Sequence, residues 1–284
     1  MQSLSEIKAL LDARGIRPKH RFGQNFLHDH NQLKKLVEAA TIRPNEVVVE
    51  IGPGTGTLTE TLVEAGAQVI ACEIDLDMQT IVRERLGDRV QLVAGDCLDG
   101  KRSLGRDLLD ALGGRPFVLV ANLPYNAASP LMAILASRHP ECRGQFVTVQ
   151  KEVGDRIRAK PNTREYGPLT VIMQLFATIH EIAVVKPGSF WPAPDVTSSM
   201  IAIEPHSNRR FTTIEELDAF EAFLHTIFSK RRKQLGAILG RDGVWPSGID
   251  PQMRPEVLGV EQIVELLRAR TEISRRDDNA DTYS

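Results

Sequence analysis

Residues 47–51, Val-Val-Val-Glu-Ile, run directly into Gly52-x-Gly54-x-Gly56, and this junction constrains the fold more than any other part of the chain. A continuous β-branched run has no polar face, so it reads as a strand buried on both sides. Such strands belong to parallel sheets covered by helices. Glycines at its end mark a turn of unusual dihedrals, or a place where a ligand comes too close for a Cβ. The same grammar repeats downstream. Residues 68–73, 90–94, 117–121 and 145–150 read as strands, with helical apolar spacing between them at 57–65, 77–86 and 129–137. Upstream, 4–12 and 31–40 read as helices. The alternation predicts an α/β fold with a doubly wound parallel sheet, which binds its ligand beyond the carboxyl ends of the strands. Residues 196–204 alternate in polarity and are expected at the far edge of the sheet. From Phe211 the pattern is helical only, at 213–228, 235–239 and 260–270. A boundary near Pro205 gives a first domain of residues 1–205 and a helical domain of 206–273. The polar stretch 274–284 is expected to be a disordered tail.

The 284 residues, 42% hydrophobic and 25% charged, suffice for one large domain and a smaller one. No apolar run reaches about 18 residues, so no membrane span is expected. The first residues lack the pattern of a secretory signal. Cys72, Cys97 and Cys142 lie far apart with no Cys-x-x-Cys, which argues against zinc or a disulfide framework and fits a reducing cytoplasm. His28-Asp29-His30 has no further ligands at metal spacing, and Asp29 reads as a helix start, so no metal is expected. Net charge is −2, which argues against a protein that coats nucleic acid. The cations are nevertheless clustered. Arg14, Arg17, Lys19, His20 and Arg21 form one group, and Lys151, Arg156, Arg158, Lys160 and Arg164 a second. Lys230-Arg231-Arg232-Lys233 is an unbroken run. Three clusters favour an anionic partner. Arg17, Lys19, Arg21 and the run from Lys230 to Lys233 are the expected phosphate contacts.

Asn122-Leu123-Pro124-Tyr125 follows the apolar stretch 117–121. An Asn side-chain oxygen accepts a hydrogen bond from an NH2 group. Proline has no N–H, so the turn offers carbonyls to a guest. Tyrosine adds a flat face for stacking a base. Glu73 and Asp96 end consecutive strands. A carboxylate at the first position can accept from both hydroxyls of a ribose, and one at the second from the amine of an adenine. The glycine spacing departs from the Gly-x-Gly-x-x-Gly of dinucleotide sites, since the third glycine comes early and Glu50 precedes the loop. A cofactor without phosphates and with a positive sulfonium, S-adenosyl-L-methionine, suits that variant. An NAD-dependent dehydrogenase does not.

These segments together resemble the small-subunit ribosomal RNA adenine dimethyltransferases, the KsgA/RsmA family. The resemblance is carried by residues 19–27 (Lys-His-Arg-Phe-Gly-Gln-Asn-Phe-Leu), the Gly52 loop, Glu73, Gly95-Asp96 and Asn122-Leu123-Pro124-Tyr125-Asn126. Downstream it includes Gln150-Lys151-Glu152-Val153, Tyr166-Gly167, Phe190-x-Pro192-x-Pro194, Phe228-Ser229-x-Arg231-Arg232-Lys233 and Arg254-Pro255-Glu256. It implies a class I methyltransferase fold with a small helical C-terminal domain for RNA recognition. It implies dimethylation at N6 of two adjacent adenines in a hairpin near the 3′ end of 16S rRNA, within the 30S precursor. Asn25, Leu27, Gly52, Gly54, Glu73, Asp96 and Asn122 would line the cofactor site, and Asn122, Leu123, Pro124 and Tyr125 would form the catalytic turn. A cytoplasmic monomer is expected. Two departures stand out. Position 195 is Asp where similar proteins usually carry Lys, and Gly236-Ala237 follow the basic run where Arg or Asn is more usual. Two alternatives remain. One is a large-subunit rRNA adenine methyltransferase, against which Tyr166-Gly167 and Arg254-Pro255-Glu256 argue. The other is an assembly factor that binds the immature 30S subunit with little catalysis, against which the intact Glu73, Asp96 and Asn122 argue.

Overall fold

The computed structural model describes residues 1–100 and 102–280, with side chains through Thr271. The chain divides into two compact units. Met1–Gly154 and Ala177–His206 form the first, and Asp155–Phe176 joins the residues from Ser207 onward in the second. The sequence reading has residues 1–205 as one continuous unit. The structure corrects this, because residues 155–176 are packed into the second unit through Tyr166.

Seven strands form one sheet in the first unit. They are β1 (Val47–Ile51), β2 (Gln68–Glu73), β3 (Val90–Ala94), β4 (Phe117–Asn122), β5 (Cys142–Gln150), β6 (Ala177–Val185) and β7 (Ser198–Pro205). Their spatial order is β3-β2-β1-β4-β5-β7-β6. The pairs from β3 through β5 are parallel, and β7 runs antiparallel to both its neighbours. The order reverses direction at β1, which makes the end of β1 the switch point where such sheets bind ligands. All five residues of β1 are buried, as a strand without a polar face requires. Six helices accompany the strands: α1 (Leu4–Asp12), α2 (His30–Ala40), α3 (Thr57–Glu64), α4 (Leu76–Leu86), α5 (Arg106–Leu112) and α6 (Tyr125–Arg138). Leu33, Leu36, Leu58 and Leu62 from α2 and α3 join Val48, Val69, Val118 and Val120 of the sheet in one core. Asp29 caps α2, accepting from the main-chain N–H of Asn31 at 3.0 Å and of Gln32 at 3.3 Å.

Two local expectations change. β7 is not the edge strand; β6 is. β7 is buried from Ser198 through Ile203, whereas β6 exposes Thr178, His180, Glu181 and Val184. A strand with so polar a face carries little strand signal. The second change is the start of α6, which begins at Tyr125 immediately after Pro124 and encloses Pro130. Pro130 costs the helix one bond to the Asn126 carbonyl, a residue exposed to water in the first turn.

The second unit contains α8 (Pro168–Phe176), α9 (Ile214–Ser229), α10 (Leu235–Leu239) and α11 (Val260–Ala280), while α7 (Lys151–Ile157) spans the division. Tyr166 is fully buried in this unit, with its hydroxyl donating to the Leu258 carbonyl at 2.9 Å and its ring tilted against Phe228 at 6.2 Å. Gly236 is buried, and a Cβ there would stand 3.0 Å from the Cβ of Pro251 and 3.1 Å from its carbonyl oxygen. The larger residue usual at that place would not fit this packing. α11 continues to Ala280, where the sequence reading ends the helix at Arg270 and expects disorder from Ser274. Residues 281–284 lie outside the described residues.

Candidate functional site

A cleft of about 340 Å³ opens at the carboxyl ends of β1, β2, β3 and β4. It gathers Asn25, Leu27, Gly52, Gly54, Glu73, Asp96, Asn122 and Pro124 into one lining. The three loop glycines adopt φ of 69°, 57° and 82°. A Cβ on Gly52 would meet the Pro124 ring at 3.0 Å, and one on Gly54 would meet the Phe26 ring at 2.8 Å. Left-handed dihedrals and close walls therefore both require glycine here.

Glu73 sits at the end of β2, 5% exposed. Its Oε1 accepts from the main-chain N–H of Asp75 at 2.9 Å and its Oε2 from that of Gly54 at 3.3 Å. Burial pushes its carboxyl up to about 7. Glu50, in β1 just before the loop, is more deeply buried and is pushed up to about 8 by that burial. Its Oε2 is buried with no hydrogen-bond partner among the described residues, and the residue is part of the cleft lining. Asp96 is exposed along the cleft, and its Oδ1 accepts from the Leu98 N–H at 3.0 Å.

Asn122 ends β4. Its Nδ2 donates to the main-chain carbonyl of Asn25 at 2.9 Å. That bond fixes the amide with its oxygen as the group left to accept. The carbonyl of Pro124 accepts from Ala127 and Ala128 at 3.0 and 3.1 Å, closing the first turn of α6. The side chain of Leu123 is buried, 2% exposed, and lies outside the cleft lining. Tyr125 is also outside that lining, half-buried, with its hydroxyl 3.3 Å from Ser198 Oγ.

Other residues border the cleft without having been assigned a place in it from sequence: Phe22, Gln24, Phe26, Thr57, Ile74, Cys97, Asn126 and Ala127. Ile74 carried a signal, an apolar residue directly after a strand-end carboxylate, and it is 46% exposed. Phe26 stacks on Trp191 at 6.3 Å, and its short strand with Leu27 pairs with Phe190–Trp191. Nothing in residue type marks that long-range pairing.

Of the expected phosphate contacts, Arg17, Arg21, Lys230, Arg232 and Lys233 are exposed. Lys19 and Arg231 are turned to other uses. Lys19 Nζ lies 2.6 Å from Asp75 Oδ1 and 2.7 Å from Asp77 Oδ2. The Arg231 guanidinium is ion-paired with Glu256 and donates to the carbonyls of Arg164 and Thr163, each at 2.7 Å. In both cases carboxylates distant in sequence claim a cation that a basic cluster alone reads as surface.

The cleft suits a cofactor with a nucleoside and a cationic end. Gly52 and Gly54 leave a cradle that side chains would fill, two strand-end carboxylates face the opening, and the buried Glu50 oxygen lacks a partner. Among the described residues no group of three metal-ligating side chains is assembled.

Comparison with known proteins agrees with this chemistry. The ribosomal RNA adenine dimethylase family model matches residues 15–268. The chain is 35% identical to the ribosomal RNA small subunit methyltransferase A of Streptomyces griseus, over 95% of this chain and 95% of that protein. It is 35% identical to the protein of the same name from Geobacter metallireducens, over 90% and 96%. A dimethyladenosine transferase from Plasmodium falciparum superposes with a TM-score of 0.71 at 26% identity, covering 87% of this chain and 98% of that one. The 23S rRNA methyltransferase ErmE shares the fold, with a TM-score of 0.60 at 23% identity over 87% and 100%. This chain belongs to the ribosomal RNA adenine dimethylase family, enzymes of the class I methyltransferase fold whose methyl donor is S-adenosyl-L-methionine.

Proposed function

We propose that this protein dimethylates N6 of two adjacent adenines in a hairpin near the 3′ end of 16S rRNA, within the 30S precursor, and so takes part in small-subunit biogenesis. The observation that carries this reading is the Asn122 amide, whose nitrogen is held by Asn25 and whose oxygen remains to accept from an amine. The small-subunit names of the relatives support the choice of RNA.

An exocyclic adenine nitrogen is a poor nucleophile because its lone pair is delocalised into the ring. Two acceptors, Asn122 Oδ1 and the Leu123 carbonyl, favour a pyramidal nitrogen with its lone pair free. S-adenosyl-L-methionine, when bound, supplies an activated methyl group. The chain then contributes mainly orientation, which at the limit is worth roughly 7–11 kcal/mol. The proton on nitrogen leaves to solvent, so no protein base is needed. The base must first leave its stack, and the Tyr125 ring offers it a face. Glu73 is assigned to the ribose, Asp96 to the adenine amine, and Asn25, Leu27 and the loop glycines to the walls of the cofactor site. Glu73→Ala is expected to weaken S-adenosyl-L-methionine binding by about 1.5–3 kcal/mol, the range for hydrogen bonds to a charged group. Calorimetric titration measures this, and an unchanged affinity would remove Glu73 from the role.

Phosphates are assigned to the exposed Arg17, Arg21, Lys230, Arg232 and Lys233. Each lost phosphate contact reduces the salt slope of RNA binding by about 0.7–0.9. Arg232→Ala and Lys233→Ala should each flatten the slope by one such step on 30S precursor particles. Arg231→Ala should instead lower the melting temperature of the protein while leaving the slope nearly intact, since Arg231 binds Glu256, Thr163 and Arg164. A flattened slope with normal melting for Arg231→Ala would return it to the RNA-facing set.

The proposal includes a cytoplasmic monomer. Among the described residues no helix is long and apolar enough to cross a membrane. Primer extension on rRNA from cells with and without the gene tests the whole reading, because dimethylated adenines stop the polymerase. A gene-dependent stop in 16S rRNA is expected. A stop in large-subunit rRNA would favour the large-subunit alternative, and no stop with defective subunits would favour an assembly factor.

A further inference from the structure

We infer that Lys19 is a positioning residue, tying the cofactor end of the site to the end that receives the adenine amine. The inference rests on the methyl-transfer reading above. Its basis is two sets of hydrogen bonds joined through the backbone of residues 19–25. Asp75 donates its main-chain N–H to Glu73 Oε1 at 2.9 Å. The Asp75 carboxylate accepts from Lys19 Nζ at 2.6 Å and from Gln24 Nε2 at 2.7 Å. The Lys19 N–H donates to Gln24 Oε1 at 2.8 Å, which closes residues 19–24 on themselves. Asn25 Nδ2 then donates to the Gly23 carbonyl at 3.3 Å, and the Asn25 carbonyl receives Asn122 Nδ2 at 2.9 Å. Glu73 and Asn122 are thus joined through one segment, and that segment borders the cleft between them.

Charge decides how this segment is held. The Asp75 side chain is 2% exposed, against 30% for Lys19. Burial alone would raise the Asp75 carboxyl, yet the Lys19 ammonium and the Gln24 amide together hold it below the ordinary value. A buried carboxylate that loses its cation is strongly destabilising. Lys19 therefore cannot move to a phosphate without leaving Asp75 uncompensated. Beyond Lys19, the segment is tied only through Gln24 to Asp75 and through the Asn25 carbonyl to Asn122, among the bonds named above; His20 and Arg21 are exposed, and Phe22 and Gln24 only half-buried. Gly23, at φ 62°, brings it against the Pro124–Tyr125 turn, where a Cβ would stand 3.4 Å from the Tyr125 nitrogen. Releasing Lys19 should let residues 19–25 drift and the Asn122 amide lose its fixed orientation.

The test uses full-length Lys19→Met, Asp75→Asn and their double variant with 30S precursor particles. Each single change should lower the saturated single-turnover rate about ten- to a hundredfold, the scale for misplacement of a reacting group by an ångström or less. The double variant should be no worse than the poorer single. The salt slope of RNA binding should not move, and main-chain amides of residues 19–25 should exchange hydrogen faster in all three. Gln24→Leu cuts the same path with no charge removed and should reproduce the rate loss even where an ion-pair variant folds poorly. A normal rate with a flattened salt slope for Lys19→Met overturns the inference and makes Lys19 a phosphate contact. Additive losses in the double variant, or unchanged exchange, overturn it as well. Absence of methylation by the unaltered protein would instead sink the methyl-transfer reading, and the exchange measurement would still decide whether Lys19 holds the segment.

Discussion

Asn122→Ala should lower the single-turnover rate of methylation by about 10²–10³, the loss seen when one preorganised polar group aimed at a reacting centre is removed. Affinity for the 30S precursor should stay within about twofold, because the amide meets only the amine under attack and not the body of the RNA. Such a fall in rate without a fall in affinity marks an interaction made chiefly in the transition state. Asn122→Asp sharpens the test. A carboxylate keeps an acceptor but cannot donate to the Asn25 carbonyl, which Asn122 Nδ2 reaches at 2.9 Å. Two acceptors would then face each other, and Asp should rescue little of the rate. Single-turnover kinetics with filter binding on the same preparations separates the two quantities. A near-normal rate for Asn122→Ala would remove the amide from the chemistry.

That the glycine loop and the strand-end carboxylates meet in one cleft was legible in the sequence for a physical reason. Buried parallel strands, glycines of forced conformation and strand-end carboxylates are each local features, and the switch-point rule brings them together. β1, the Gly52 loop, Glu73 and Asp96 needed no long-range knowledge. What local pattern cannot supply is the identity of distant partners. Lys19 reads as surface until Asp75, 56 positions away, is seen beside it. Arg231 reads as part of a basic run until Glu256 and the carbonyls of Thr163 and Arg164 enclose it. Residues 155–176 carry no change of composition, yet the Tyr166 hydroxyl reaches Leu258, 92 positions on, and the segment goes with the second unit. β6 was hidden by its own edge position, since His180 and Glu181 face water where a central strand would be apolar.

Glu50→Gln should change how stability depends on pH, and by more than any substitution on the surface. The Glu50 carboxyl is raised from 4.5 to about 8 by burial, with the neighbouring Glu73 carboxylate adding to the effect. The folded chain therefore keeps a proton that the unfolded chain releases. That contribution to stability is fully present below pH 4.5 and is lost as pH rises through 8. At 1.36 kcal/mol per pKa unit, the loss between about pH 5 and 9 is on the order of 3–5 kcal/mol. Glu73, raised to about 7, adds a smaller loss of the same sign. Glutamine has no proton to lose, so Glu50→Gln should melt close to the unaltered protein near pH 4.5, above it already at pH 6, and by the widest margin at pH 9. The cofactor should act in the opposite sense. Its positive charge favours ionised carboxylates, so affinity should rise from pH 6 to 8.5 with release of protons on binding. That rise should be shallower in Glu50→Gln. Melting curves across the pH range and calorimetry in buffers of different ionisation enthalpy read both effects. Parallel melting profiles for the two proteins would show that Glu50 is already ionised in the fold, and that its buried oxygen is compensated by water.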